Sequence, residues 1–171
     1  MQKSYKITEL VLEHIEENQN TCGGKKKACK IIELFLKHID DKRSFYSRKD
    51  NKGMISLHYA CLCSNTEVLK TLLHFAKFHG IETNINAIDS KGETPLHVAV
   101  TNNREKVVKY LLDHAGEEGI NVEAIDFKGQ TPFQCARLAD RKDIVNEFLN
   151  FFIIRMIPGF IRNPILSYFS K

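Results

Sequence analysis

The string Asp89-Ser90-Lys91-Gly92-Glu93-Thr94-Pro95-Leu96-His97-Val98-Ala99 is the most informative in this chain, because it returns twice. It recurs as Asp126-Phe127-Lys128-Gly129-Gln130-Thr131-Pro132-Phe133-Gln134-Cys135-Ala136. A weaker copy is Asp50-Asn51-Lys52-Gly53-Met54-Ile55-Ser56-Leu57-His58-Tyr59-Ala60. The three aspartates stand 39 and then 37 positions apart. A second block keeps step with the first. Val107-Val108 with Leu111-Leu112 is echoed by Val68-Leu69 with Leu72-Leu73 and by Ile144-Val145 with Phe148-Leu149. It also appears upstream as Ile31-Ile32 with Phe35-Leu36, where no Asp-x-x-Gly accompanies it. Two marks in register over three copies make this chain a repeat array.

The residue types explain the unit. Gly92 supplies the positive φ that a tight turn needs. Thr94 is a good helix N-cap, and Pro95 sits at a first helical position, where a missing N–H costs nothing. Leu96, Ala99 and Val100 then give one short helix an apolar face, and the small Ala60, Ala99 and Ala136 let neighbouring helices approach closely. A second helix carries apolar pairs at i, i+1, i+4 and i+5, a stripe wide enough to pack on both neighbours. Each unit is a turn, a short helix and a longer antiparallel helix. One such unit cannot bury its own apolar face, and stacking does so.

Gly-x-Thr-Pro-Leu-His-x-Ala resembles the signature of the ankyrin repeat, closely over residues 50 to 150 and in degenerate form over residues 5 to 40. The resemblance implies an all-α solenoid of stacked helix-turn-helix units with short β-turn or hairpin tips. Three repeats are expected at 50–88, 89–125 and 126–150. The period exceeds the roughly 33 residues usual for such repeats. The surplus falls at Ala76–Asn84 and at Ala115–Asn121. Gly116 and Gly119 favour a loop at the second site, while at the first a longer helix and a longer loop fit equally.

The flanks differ from the array. Residues 1–49 read as a degenerate N-terminal capping repeat with a connector: a helix over residues 5–17, a turn-forming stretch at Asn18–Lys27, an outer-type helix over residues 28–39, and a solvated basic connector from Asp40 to Asn51. Residues 151–171 contain twelve large apolar residues and no acid. Pro158, Gly159 and Pro164 forbid one continuous helix there, and Arg155 and Arg162 argue against a membrane span. This stretch reads as a hydrophobic cap, with the last outer helix running on to Ile157, or as a partner-binding or membrane-surface tail. Ile157-Pro158, Ile161, Ile165-Leu166 and Phe169 also resemble the first helix of an F-box, although Phe160 and Pro164 depart from that pattern. That resemblance implies the alternative role of a ubiquitin-ligase adaptor.

Composition narrows the function. At 171 residues, 43% hydrophobic and 27% charged, the chain has the make-up of a folded protein. A net charge of +4 is too mild for a nucleic-acid footprint. Lys25-Lys26-Lys27 lacks interleaved aromatics and reads as a solvated helix start. Five cysteines at irregular spacing read as free thiols in a reducing, cytoplasmic compartment. No signal-peptide core follows the N-terminus, which leaves secretion into a host cell without a cleaved signal open.

His58, Cys61 and Cys63 have the chemistry of metal ligands or of a nucleophilic pair. His58, however, is in register with His97, and Cys61 takes the slot of Val100. They read as packing groups. His38, His74 and His114 fall at matched positions near outer-helix C-termini. No phosphate loop, carboxylate pair or Gly-x-Ser-x-Gly is present, so no enzyme, cofactor, metal or small-molecule substrate is expected.

The ankyrin resemblance instead implies a monomer that holds a protein partner in a concave groove lined by the turn tips and the first helices. Carried over by position, its contact residues are Asn51, Lys52, Met54, Leu62 and Cys63 in the first repeat. They are Ser90, Lys91, Glu93, Thr101 and Asn102 in the second, and Phe127, Lys128, Gln130, Leu138 and Ala139 in the third. Phe127, Leu62 and Met54 are the expected anchors. Lys52, Lys91 and Lys128 form a positive row that suits an acidic partner. Heavy use of Lys, Ile and Asn resembles small ankyrin proteins of intracellular bacteria or large DNA viruses, which implies a host-directed effector.

Overall fold

A computed structural model describes residues 41–156. The expected N-terminal cap over residues 1–40 and the tail over residues 157–171, with its F-box-like pattern, lie outside them.

Eight helices follow in order: α1 (Lys42–Ser47), α2 (Ser56–Leu62), α3 (Thr66–Phe78), α4 (Pro95–Thr101), α5 (Glu105–Asp113), α6 (Ala115–Glu118), α7 (Pro132–Leu138) and α8 (Lys142–Met156) among the described residues. The inner helices α2, α4 and α7 stack in one row, and the outer helices α3, α5 and α8 stack in a second row behind them.

Each repeat opens with the same closed turn. In the second, the Gly92 N–H donates to the Asp89 carbonyl at 3.1 Å and the Asp89 N–H to the Glu93 carbonyl at 3.0 Å. Gly92 takes φ +77°, and Gly53 and Gly129 take +75° and +74°. Thr94 then stands extended at the helix entrance. Its hydroxyl lies 2.9 Å from His97 Nδ1, and Pro95 is the first helical residue. Thr131 and Pro132 repeat this at α7. Chain reversal to the outer helix uses left-handed Asn103 and Asp140, at φ 56° and 50°. The next amides, Arg104 and Arg141, donate to Ala99 and Ala136 at 2.9 Å.

One continuous apolar core runs between the two helix rows, with Leu57, Ala60, Leu96, Ala99 and Ala136 from the inner row. Val68, Leu69, Leu72, Val107, Val108, Leu111, Ile144 and Phe148 come from the outer row. The three alanines are fully buried, as close stacking of inner helices requires.

Two local expectations are corrected. In its described part, residues 41–51, the connector is not solvated throughout but carries α1. Asp41 caps α1 by accepting from the Ser44 amide at 3.0 Å, and Tyr46 is buried with its hydroxyl donating to the Leu72 carbonyl at 2.8 Å. The surplus at Ala115–Asn121 is not an open loop either. Ala115–Glu118 form a further helical turn, closed by Gly119 at φ 66°. The first surplus is divided: α3 runs on through Ala76 to Phe78, Gly80 takes φ 59°, and residues 81–84 are a non-helical connection. In both repeats the residue after that glycine returns its amide to an alanine, Ile81 to Ala76 at 2.8 Å and Ile120 to Ala115 at 2.9 Å. A left-handed glycine followed by an inward apolar residue is a standard helix stop.

Candidate partner-binding surface

The histidines tie one repeat to the next. His58 Nδ1 accepts from the Ile55 amide at 3.1 Å, and Nε2 faces the Glu93 carbonyl at 3.1 Å. His97 does the same with the Thr94 amide at 3.2 Å and the Gln130 carbonyl at 3.0 Å. An Nδ1 that accepts and an Nε2 that donates is a neutral imidazole. Burial accordingly holds the His58 pKa below 6.5. Gln134, in the same register of the third repeat, keeps only the near half of this arrangement, with Oε1 accepting from Thr131 N–H at 2.8 Å.

These ties hold the tips in line. The Ser90 amide donates to the Lys52 carbonyl at 2.8 Å, and the Phe127 amide to the Lys91 carbonyl at 3.0 Å. Successive tips are therefore joined by backbone bonds through turns. The tip aspartates spend their charge internally. Asp89 Oδ1 accepts from the amides of Lys91 and Glu93 at 2.8 and 2.9 Å. Asp126 Oδ1 accepts from Lys128 and Gln130, both at 2.9 Å, and Asp50 Oδ1 from Lys52 and Met54, both at 2.8 Å. Asp89 and Asp126 are buried, and the Tyr59 hydroxyl donates to Asp50 Oδ2. The lysines of the same turns, Lys52, Lys91 and Lys128, are exposed. Lys91 is 3.8 Å from Glu93, whose side chain is largely covered.

Of the sequence-expected contact residues, Asn51, Lys52, Ser90, Lys91, Thr101, Asn102, Phe127, Lys128, Leu138 and Ala139 are exposed, and Leu62, Glu93 and Gln130 are half-buried. Two are corrected. Met54 is 8% exposed and Cys63 1%, so neither offers surface to a partner. Cys63 turns its Sγ to the Tyr59 carbonyl at 3.4 Å, and the chain leaves α2 extended at this residue. Thr101 and Asn102 both donate to the Val98 carbonyl, at 3.2 and 2.9 Å, which closes the end of α4.

Phe127 is 71% exposed, and its ring rests on Gly92. A Cβ added there would lie 2.6 Å from Phe127 Cδ1 and 2.7 Å from its backbone N. Two exposed residues extend this apolar edge beyond the contact residues expected from the sequence: Ile125 at 62% and Ile88 at 40%. The signal was there in Ala87-Ile88-Asp89 and Ala124-Ile125-Asp126, a matched pair one step before each tip aspartate. In the first repeat that place belongs to Lys49, whose Nζ donates to the Ile88 carbonyl at 2.7 Å.

The remaining candidate groups serve packing. Burial pushes the thiols of Cys61 and Cys135 up, away from the thiolate that a nucleophile or metal ligand requires. Among the described residues no group of three or more His, Cys, Asp or Glu side chains is placed to hold a metal ion. No helix among them is long and apolar enough to cross a membrane. His114 ends α5 with Nδ1 at 2.8 Å from the Tyr110 carbonyl, whereas His74 sits exposed within α3 rather than at its end.

Residues 75–154 match a family model for ankyrin repeats in three copies, and residues 52–90 match the single ankyrin repeat. An ankyrin repeat protein of Fowlpox virus (strain NVSL) is 36% identical over 64 residues, 37% of this chain and 13% of that protein. Rabankyrin-5 of Mus musculus is 34% identical over 66 residues, 39% of this chain and 5% of its own length. Oxysterol-binding protein homolog 1 of Saccharomyces cerevisiae is 35% identical over 65 residues, 34% of this chain and 6% of its own length. The chain thus matches only a small part of each relative's length.

Proposed function

Because the chain belongs to the ankyrin-repeat family, a protein–protein interaction module, we propose that its tip edge holds an acidic segment of a protein partner and performs no catalysis of its own. The supporting observation is the division of charge at the tips. The aspartate carboxylates are consumed by backbone amides, while Lys52, Lys91 and Lys128 are exposed at the three tips and Ile125 and Phe127 are exposed at the third. An incoming carboxylate therefore meets lysines beside aspartates that are already satisfied, and at Lys91 it competes with Glu93 at 3.8 Å. Phe127, Ile125 and Leu138 supply the apolar contact in which most binding energy concentrates, and the lysine row speeds encounter.

The proposed compartment is the cytoplasm, with the described cysteines unpaired, and the proposed state is a monomer. The ankyrin repeat protein of Fowlpox virus among the relatives agrees with the resemblance to viral ankyrin proteins. The ligase-adaptor alternative rests on the sequence pattern from Ile157 to Phe169 alone, which lies outside the described residues.

The test is affinity capture with the intact chain beside Phe127→Ala combined with Lys91→Glu. A partner held by the parent chain is expected to be lost from the variant while helical circular dichroism stays unchanged. Retention of that partner by the variant rejects the proposal.

A further inference from the structure

The chain reversals between inner and outer helices are in register but differ in chemistry. Ser64, Asn103 and Asp140 hold the same place, each four residues after a buried inner-helix alanine, Ala60, Ala99 and Ala136. The next place holds Asn65, Arg104 and Arg141. Asn103 and Asp140 turn left-handed, at φ 56° and 50°. The first reversal does not. Cys63 (φ −66°, ψ 140°) and Asn65 (φ −101°, ψ 105°) are extended on either side of Ser64, and Ser64 is exposed. From the next repeat Arg104 reaches back, and its Nη1 donates to Ser64 Oγ at 2.8 Å.

We propose that Ser64 is a phosphorylation site whose phosphate is held by Arg104 across the boundary between the first and second repeats. The Ser64 oxygen attacks the terminal phosphorus of a nucleoside triphosphate bound by a protein kinase. A new O–P bond forms, the bond to the nucleoside diphosphate breaks, and the hydroxyl proton passes to the kinase's base. An exposed hydroxyl on extended chain can enter a kinase cleft without unfolding the repeat. The place also tolerates an anion, since the third repeat carries the carboxylate of Asp140 there. A guanidinium already on the oxygen to be modified meets the new charge of about −1.5 to −2 with a planar fork that fits phosphate. The helix end is not called upon, because Asn65 already caps α3 by accepting from the Glu67 amide at 3.1 Å. Nor does the acid nearest in sequence act alone: Glu67 is paired with Lys70 at 2.7 Å.

The intact chain with phosphoserine placed genetically at position 64 tests the grip of Arg104. Pairing with a cation favours the dianion. The second phosphate ionisation, followed by phosphorus NMR, should therefore fall below its ordinary value of about 6. It should return toward that value in Arg104→Gln, which leaves Glu67 and Glu105 in place. An unshifted ionisation, or a shift that survives Arg104→Gln, overturns the proposal. A second arm asks whether the hydroxyl is a substrate. The unmodified chain is incubated with ATP and a serine kinase that favours an acid three residues downstream, the place of Glu67. Phosphate is expected on Ser64 by peptide mapping, with helical circular dichroism unchanged. Phosphate confined to other residues, or none at all, overturns the proposal as well.

Discussion

The first and second repeats share a tip turn and an inter-repeat histidine, but they enter their inner helices differently. At α4, Thr94 stands extended with its hydroxyl on His97, and Pro95 takes the first helical position. At α2 the same places hold Ile55, with no side-chain cap bond, and Ser56, whose buried hydroxyl has no partner. Ile55 is 1% exposed and packs into the core instead. Both helices are seven residues long and stack against each other. Neighbour packing and the histidine tie are therefore enough to hold an inner helix whose own start signal is poor, as expected of a quasi-one-dimensional array.

That comparison can be broken at the tips, where the effect should be greatest. Gly92→Ala forces a side chain onto φ +77° and against the Phe127 backbone. It should cost about 3 kcal/mol or more in urea unfolding, beyond the φ penalty alone. Gly129 has the same left-handed backbone but nothing within 4 Å of an added Cβ, so Gly129→Ala should cost only about 1 kcal/mol. Equal losses would mean that close packing of tips contributes nothing.

The histidine tie comes next. His97→Ala leaves the buried Thr94 amide and the Gln130 carbonyl without their partner, and should cost about 2–4 kcal/mol. Gln134→Ala removes only a local cap at the exposed start of α7, and should cost under about 1 kcal/mol. Similar values for the two would contradict the coupling role of the histidine.

Acid should act through the same tie in the first repeat. The folded chain holds His58 below the 6.5 of a free imidazole, so the unfolded chain takes up a proton first as pH falls. Stability from this group is present above that value and is lost progressively below it. Denaturant midpoints measured from pH 8 to pH 5 should decline, and His58→Gln should flatten the decline.

The smallest effect is a gain. Ser56→Pro copies Pro95 and Pro132, removes an unpartnered buried hydroxyl, and follows Ile55, which already has the extended geometry that precedes proline (φ −102°, ψ 172°). A gain of roughly 0.5–1 kcal/mol is expected; a loss would show that α2 starts differently from its neighbours.

Much of this was legible in the sequence because repetition exposes it. Thr94, Pro95, His97 and the outer apolar pairs occupy the places that their types require. The features that escaped it have physical reasons. The flanking basic residues masked α1, although Asp41 ahead of Tyr46 was a capping signal. Gly116 suggested a loop, yet one glycine costs a helix only about 1 kcal/mol, and the buried Ala115 anchors the extra turn. Met54 and Cys63 were placed by analogy of position, which cannot distinguish a side chain facing the groove from one turned into the stack. Ile88 and Ile125 were overlooked because apolar residues next to a turn look like core until their exposure is known.

Partner binding at the tips is tested most directly by the hydrogen-exchange footprint of the intact chain bound to the partner it captures. New protection is expected at the tips, over residues 51–54, 90–93 and 125–130, with the outer helices α3 and α5 unaltered. Protection confined to those outer helices, with the tips exchanging as in the free chain, would contradict it.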